Sequence, residues 1–158
     1  MIENNKIKLN KKEILEYQKN RDPFLMIDYG TEIIPGKSSN GYKDLKHDEW
    51  FFKVHWPGDP NMPGVLQIES IVQMASLSIL TLPDNKNKLM YLHNVEKAFF
   101  RKKILPGDRL FIETKVLNWQ RGIGKFQGSA FVKQNSACEA IFTLILPDEF
   151  YKYSVRNK

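Results

Sequence analysis

The chain has 158 residues, of which 42% are hydrophobic, and a formal net charge of +6. Its length predicts one domain over residues 1–158. Ten Phe and three Trp argue against a disordered or fibrous chain, and a single cysteine, Cys138, excludes an intramolecular disulfide and predicts a core thiol.

The first part of the chain predicts one short helix and two strands. An amphipathic helix is expected from about Lys11, with its inward residues at Ile14, Leu15 and Tyr17. A strand is predicted over residues 24–34, a turn over 35–41, where the sequence is PGKSSNG, and a second strand over about 41–46.

A long apolar helix is predicted in the middle of the chain. It begins at Pro63 or Gly64, because proline at the first helical position loses only an amide that would be unbonded anyway, and it ends near Leu80. Apolar residues cover nearly its whole circumference, so we expect other structure to enclose it. The segment carries Gln67, Glu69 and Gln73, which argues against membrane insertion.

Three segments after this helix alternate between inward and outward side chains, over residues 108–117, 124–133 and 137–146. The predicted inward residues are Leu110, Ile112, Thr114, Val116, Phe126, Gly128, Ala130, Val132, Ala140, Phe142, Leu144 and Leu146. One buried helix followed by such an antiparallel meander predicts an α+β fold, with a sheet curled around the helix.

The predicted helix carries one polar stripe, formed by Glu69, Gln73 and Ser76, which lie close together on a helical projection. A buried carboxyl group tends to have a raised pKa and can hold a proton near neutral pH, as a general acid must. His55, just before the helix, is the natural general base at that pH.

The beginning of the same helix offers backbone donors. The free N–H groups of Gly64 and Val65 and the positive end of the helix dipole suit an oxyanion on a carbonyl. Base, acid and oxyanion donors together suit proton abstraction beside a carbonyl, with loss or gain of a β-hydroxyl. The residues alone also allow a structural interpretation, in which His55 is a loop residue and Glu69 is bonded to a backbone amide.

Several stretches of the chain are recognisable as a set. RDPFLMID, FFKVHWPGDPNMPGVLQIESIVQMA, NVEKAFFRKKILPGDRL and GKFQGSA resemble, in order and spacing, the single-domain β-hydroxyacyl-[acyl-carrier-protein] dehydratases of bacterial type II fatty-acid synthesis. The similarity covers roughly residues 11–147, which it implies are the core of the domain, followed by a short basic C-terminal tail. Its central motif is H-x-P-G-x-P-x-M-P-G-V-L-x-x-E-x-x-x-Q. It implies the hotdog fold and dehydration of (3R)-3-hydroxyacyl thioesters to trans-2-enoyl thioesters.

The resemblance also implies roles for individual residues. It makes His55 and Glu69 the catalytic pair, and it assigns polarisation of the thioester carbonyl to the amide of Gly64. Gln73 matches a glutamine that supports the acidic residue. Tyr91 matches an aromatic residue that gates the acyl tunnel in some members, and the alternative interpretation is a tyrosine in the core of a strand.

The resemblance further implies partners. The carrier's phosphopantetheine arm delivers the substrate, and no cofactor or metal is needed. A basic cluster of Arg101, Lys102 and Lys103 is predicted to dock the acidic carrier, with a solvated face as the alternative, and the net charge of +6 suits this steering. The family's fold implies a homodimer with active sites shared between subunits, which can assemble as a trimer of dimers.

Other partners and compartments are not expected. The sequence has no zinc-ligand spacing, no aromatic-interleaved basic run and no Gly-rich loop with nucleotide-binding spacing, so neither nucleic acid nor a metal is predicted. The charged N-terminal sequence lacks the apolar segment of a secretory signal, which predicts a cytoplasmic protein.

Some positions depart from the family's pattern. Asp59 stands where single-domain dehydratases usually have a second histidine, Trp56 replaces a phenylalanine, and QKNRDPF replaces the common PHRYPF. GDPxMPG resembles the related dehydratase-isomerases, which usually have Asp where this chain has Glu69. The alternatives are therefore a dehydratase-isomerase, a hotdog acyl thioesterase and a non-catalytic acyl-thioester-binding subunit, and the acyl chain length and pathway stay open.

Overall fold

The computed structural model describes residues 5–154, and within them seven antiparallel strands form one sheet that packs against a long helix. The elements are β1 (Ile7–Leu9), α1 (Lys11–Tyr17), β2 (Tyr29–Ile34), β3 (Ser38–Asp44), α2 (Trp50–Val54), α3 (Gly64–Leu80), β4 (Tyr91–Phe100), β5 (Arg109–Gln120), β6 (Ile123–Val132), β7 (Asn135–Ile145) and α4 (Pro147–Ser154). The strand order is β1-β2-β3-β5-β6-β7-β4. The predicted α+β architecture is confirmed.

Helix α3 has the predicted bounds. It begins at Gly64, with Pro63 as its N-cap, and ends at Leu80. Every residue from Ser70 to Leu80 is buried, including the serines, and the helix contacts strands β2 to β7. An apolar helix enclosed by a sheet is what its all-round hydrophobic pattern predicts.

The alternation in β5, β6 and β7 is also confirmed. All the side chains predicted to face inward are buried, except Val116, which is half-buried near the end of β5. Cys138 is buried as predicted, and burial raises the pKa of its thiol to about 12, which makes it an inert core residue.

The predicted bounds of the first two strands were wrong. The strand expected from residue 24 begins at Tyr29, because the apolar residues 25–27 belong to a fully buried loop. The second strand, β3, spans residues 38–44 and takes in much of the expected turn. Ser39 is buried in it, where its hydroxyl donates to the Met74 carbonyl, so a tertiary bond satisfies a residue type that usually indicates a turn.

Other elements were only partly foreseen. Helix α1 is confirmed: Asn10 and Glu13 form a capping box at its start, and Ile14 is its buried residue, whereas Leu15 and Tyr17 are half-buried. The predicted C-terminal tail is helical from 147 to 154 as α4, and its last four residues lie outside the described range. No helix in residues 5–154 has both the length and the apolar character needed to cross a membrane.

Strand β6 lies close against α3 at Gly128, where an added Cβ would overlap the Ile71 side chain. Gly128→Ala is therefore expected to lower the free energy of unfolding by about 1–3 kcal/mol through overpacking. Urea denaturation measures this change. Ser129→Ala, at the adjacent outward-facing position, serves as the control, and equal stability of the two variants would contradict the prediction.

Candidate active site

Glu69 lies in the first half of α3 and lines a cavity of about 260 Å³. The cavity wall combines residues of α3 with the segment after α1 and the segment leading into β4: Gln18, Lys19, Asn20, Val72, Gln73, Ser76, Leu80, Lys88, Leu89, Met90 and Leu92. Burial raises the pKa of the Glu69 carboxyl above its ordinary value, and the hydrogen bond from Gln73 opposes this rise. The carboxyl group therefore keeps its proton to higher pH than an exposed glutamate does.

Gln73 holds this carboxyl group in place. Its side-chain nitrogen donates to Glu69 Oε1 at 2.8 Å and to the Phe24 carbonyl at 2.9 Å, while its oxygen accepts from the Met26 amide at 2.8 Å. These bonds connect α3 to the buried loop before β2. Ser76, the third member of the polar stripe, lines the same cavity and donates to the Val72 carbonyl of its own helix.

His55 is the C-cap of α2 and is half-buried. Its Nδ1 lies 3.2 Å from the Asn61 carbonyl oxygen, and its ring stacks on Trp56 with centroids 4.9 Å apart. Because a carbonyl only accepts, Nδ1 carries the proton in this bond, and Nε2 of the neutral ring is left as the basic nitrogen. Local structure thus holds the His55 ring in one orientation, with Nε2 left without a bond to Asn61.

Backbone donors at the start of α3 lie between these two side chains in sequence. Within residues 5–154 the amides of Gly64 and Val65 bond to no acceptor, whereas the next two amides both donate to the Pro63 carbonyl. Val65 is 73% exposed, so this end of the helix is open. A Cβ at Gly64 would lie 2.9 Å from the Phe100 ring, which accounts for glycine at this position.

Tyr91 and the basic cluster lie at opposite ends of β4. Tyr91 is 51% exposed at the first position of the strand, so it is not a core tyrosine of this chain. Arg101 and Lys103 follow the last position of β4, and both form ion pairs of 2.7 Å, with Glu139 and Asp59 respectively. Lys102 has no ion pair within the described residues.

The structure brings Glu69, Gln73 and Ser76 together at one cavity, and His55 is not among the residues that line it. Three residues near the site were not predicted from the sequence. They are Asn61, which orients His55, and Gln18 and Lys88, which line the cavity. QKNRDPF marked the region of Gln18 as unusual, but only tertiary structure places it at α3. Within residues 5–154 no three His, Cys, Asp or Glu side chains are grouped closely enough to hold a metal ion.

Comparisons with known proteins show which family the chain is similar to. The model of the FabA-like domain family matches residues 19–141. The chain is 40% identical over 140 residues to the 3-hydroxyacyl-[acyl-carrier-protein] dehydratase FabZ of Alkaliphilus metalliredigens, covering 89% of this chain and 95% of that protein. It is 38% identical over 135 residues to the FabZ dehydratase of Clostridium novyi, covering 84% and 95%.

A solved structure supports the fold. A chain of the dehydratase heterocomplex ApeI:P from Xenorhabdus doucetiae superposes with a TM-score of 0.74 at 15% identity, over 92% of this chain and 97% of that one. The predicted hotdog fold is thereby confirmed. With a family model that spans most of the chain and FabZ relatives near 40% identity, this chain belongs to the FabA-like domain family, as a single-domain dehydratase of the FabZ type.

Proposed function

We propose that this protein dehydrates (3R)-3-hydroxyacyl groups on acyl carrier protein to trans-2-enoyl groups, in fatty-acid or related lipid biosynthesis. The observation that carries the proposal is a half-buried Glu69, bonded to Gln73 at a cavity, in a chain about 40% identical to FabZ dehydratases. A carboxyl group with a raised pKa suits a reaction that must protonate a departing hydroxyl.

The proposed roles follow from the position of each group. Nε2 of His55 removes the proton from the α-carbon, and Glu69 donates its proton to the β-hydroxyl, which leaves as water. The electrons of the broken C–H bond form the new double bond, and the amides of Gly64 and Val65 stabilise the developing charge on the thioester oxygen. Proton transfer from His55 to Glu69 restores both groups for the next turnover.

The reaction as proposed draws only on side chains, backbone amides and the phosphopantetheine arm of the carrier, and it uses no metal or nucleotide. Tyr91 is proposed to gate the acyl tunnel. It begins β4 one residue before Leu92, which lines the Glu69 cavity. The location in the cytoplasm stays a prediction.

Assembly into a homodimer is supported by strand β4. This ten-residue strand is at the edge of the sheet and pairs only with β7 within the described residues. Its two faces expose large apolar side chains, at Tyr91, Leu92, Val95, Phe99 and Phe100. A long, apolar, unpaired edge is a template for another strand, so we propose that β4 pairs with β4 of a second copy.

Such pairing would also give an active site shared between the two subunits. The start of β4 borders the Glu69 cavity, whereas its last residue, Phe100, packs on Gly64 beside the loop that follows His55. Antiparallel pairing about a two-fold axis sets the start of one strand beside the end of the other. It would bring the partner's His55 toward the Glu69 cavity. Three such dimers are proposed to associate further as a trimer of dimers.

The basic cluster of Arg101, Lys102 and Lys103 is proposed to dock the acidic carrier protein. Lys102→Glu is expected to raise KM for a carrier-bound substrate about three- to tenfold, because a rim charge mainly affects encounter with the partner. KM for the same acyl group on free pantetheine should not change. Lys115→Glu, an exposed position on β5, is the charge-matched control. If Lys102→Glu and the control behave alike, the cluster is only a solvated face.

The role of Gln73 predicts a change in pH dependence. Gln73→Leu removes the hydrogen bond that lowers the pKa of Glu69, so this pKa should rise further. Because protonated Glu69 is the active form, kcat/KM falls as pH rises through that pKa, and the alkaline limb should move to higher pH. Initial rates across the pH range measure it, with Ser76→Ala as the control. A limb that stays in place or moves to lower pH would contradict the assignment.

The proposed function is tested by incubating the protein with 3-hydroxyacyl carrier proteins of several chain lengths and separating the products by mass spectrometry. Loss of water is the expected result, and the fastest substrate identifies the preferred chain. Release of the carrier thiol would instead indicate a thioesterase, and a shifted double bond would add isomerase activity. Binding without any turnover would favour a non-catalytic acyl-binding subunit.

A further inference from the structure

An ion pair joins the loop that follows His55 to the segment that follows β4. Lys103 Nζ lies 2.9 and 2.7 Å from the two carboxylate oxygens of Asp59, so it bonds to both. The two residues are 44 positions apart in the chain. Asp59 is the residue that stands where single-domain dehydratases usually have a second histidine, and the ion pair gives this departure a structural role.

Hydrogen bonds continue from Asp59 to the imidazole of His55. The side-chain nitrogen of Asn61 donates to the Asp59 carbonyl at 3.1 Å, and the Asn61 carbonyl accepts from His55 Nδ1 at 3.2 Å. The residue that fixes the tautomer of His55 is therefore itself attached to Asp59. Any movement of Asp59 would be transmitted to the bond that orients the base.

The end of the loop is anchored by contacts of its own. The Met62 amide donates to the Ile104 carbonyl at 2.9 Å, the Met62 carbonyl accepts from the Gln67 side chain at 3.0 Å, and Asn61 and Met62 are both buried. Residues 56–60, in contrast, are all exposed. A segment without buried side chains opens easily. Within residues 5–154, Asp59 is the residue of this segment that forms an ion pair with another part of the fold, so this pair holds the exposed part of the loop.

We infer that Asp59 and Lys103 are positioning residues. They hold the loop after His55 so that the Asn61 carbonyl keeps the proton of the histidine ring on Nδ1 and leaves Nε2 as the basic nitrogen. This inference rests on the proposed function, because it assumes that His55 is the base. Both side chains are about half exposed, so their removal should leave the melting temperature nearly unchanged. Removal of either side chain should instead lower the rate of the reaction, because it disturbs the geometry of the site.

The test must separate positioning from carrier docking, because Lys103 also belongs to the basic cluster. Asp59→Asn and Lys103→Ala are assayed on a 3-hydroxybutyryl thioester of free pantetheine, which has no carrier protein to dock. The kcat of each variant is expected to fall by up to about fivefold, with KM unchanged. This factor corresponds to the upper end of the free energy that an exposed ion pair contributes. The double variant should lose no more than either single one, and exchange of the charges, Asp59→Lys with Lys103→Asp, should recover most of the rate.

A neighbouring ion pair supplies the matched control. Arg101 and Glu139 are also 2.7 Å apart and similarly exposed, but Glu139 does not contact the loop. Glu139→Gln should therefore keep the wild-type kcat on the small thioester. If Asp59→Asn and Lys103→Ala also keep it, or if exchange of the charges recovers nothing, the inference is overturned.

A second readout does not depend on turnover. The nitrogen NMR signals of the His55 ring should show the tautomer protonated at Nδ1 in the wild type and a mixture of tautomers in Asp59→Asn and Lys103→Ala. The same tautomer in all three proteins overturns the positioning role. If the wild type dehydrates neither the carrier-bound substrate nor the pantetheine thioester, the proposed function is refuted. The histidine signals would still decide the inference.

Discussion

Replacement of His55 by Ala or of Glu69 by Gln is expected to reduce the kcat for dehydration by about 10²- to 10⁴-fold, the range of a general acid or base. His55→Ala removes the nitrogen that takes the α-proton. Glu69→Gln keeps the size of the side chain and its capacity to bond to Gln73, but it removes the proton that the hydroxyl needs. Turnover of a 3-hydroxyacyl carrier protein, followed by mass spectrometry, measures both effects.

Controls for this prediction come from the same residue types elsewhere. His47 and Glu113 are exposed and are not part of the proposed site, so His47→Ala and Glu113→Gln should keep the wild-type rate. Circular dichroism of each variant should match that of the wild type. Dehydration that is indifferent to either of the two active-site substitutions would refute the assignment of that residue.

A mixture of the two inactive variants is expected to regain activity. If His55 of one subunit serves Glu69 of the other, a dimer of one His55→Ala chain and one Glu69→Gln chain has one site with both residues intact. Random exchange at equal concentrations makes about half of the dimers mixed, so activity should reach about a quarter of the wild-type value. Denaturing the variants together and refolding them provides the exchange.

The opposite outcome is equally clear. If each site were built within one chain, every site in the mixture would lack one of the two residues, and activity would stay at the level of the separate variants. Refolding each variant alone gives that baseline. Provided that both variants are inactive alone, the experiment tests the sharing of sites separately from which residue is the acid and which the base.

The regular elements of the core could be predicted because their patterns are local. The inward positions of β5, β6 and β7 repeat every second residue, and one face of each strand meets α3. Helix α3 is apolar all round and starts after Pro63, so both its burial and its beginning were readable. The short helix α2 and the three-residue β1 are too brief to show a period. The second strand was predicted at about 41–46, but the turn-forming residues at 38–41 hid its true beginning.

The site divides in the same way. The motif that runs from His55 to Gln73 indicated the candidate residues, because it depends only on their order in the chain. The helical repeat predicted that Glu69 and Gln73 lie on the same face of α3. The partners of Gln73 in the loop before β2, at Phe24 and Met26, depend on packing between distant segments.

The α+β class, the enclosed helix, the alternating strands and the set of candidate residues could all be read from the order of residues, because each follows from spacing along the chain. Two features needed the folded chain: β4 exposes its apolar residues at the edge of the sheet, and Lys103 reaches Asp59. Composition cannot distinguish an apolar strand in a core from one at an open edge. Likewise, an ion pair between residues 44 positions apart depends on how the chain folds back on itself.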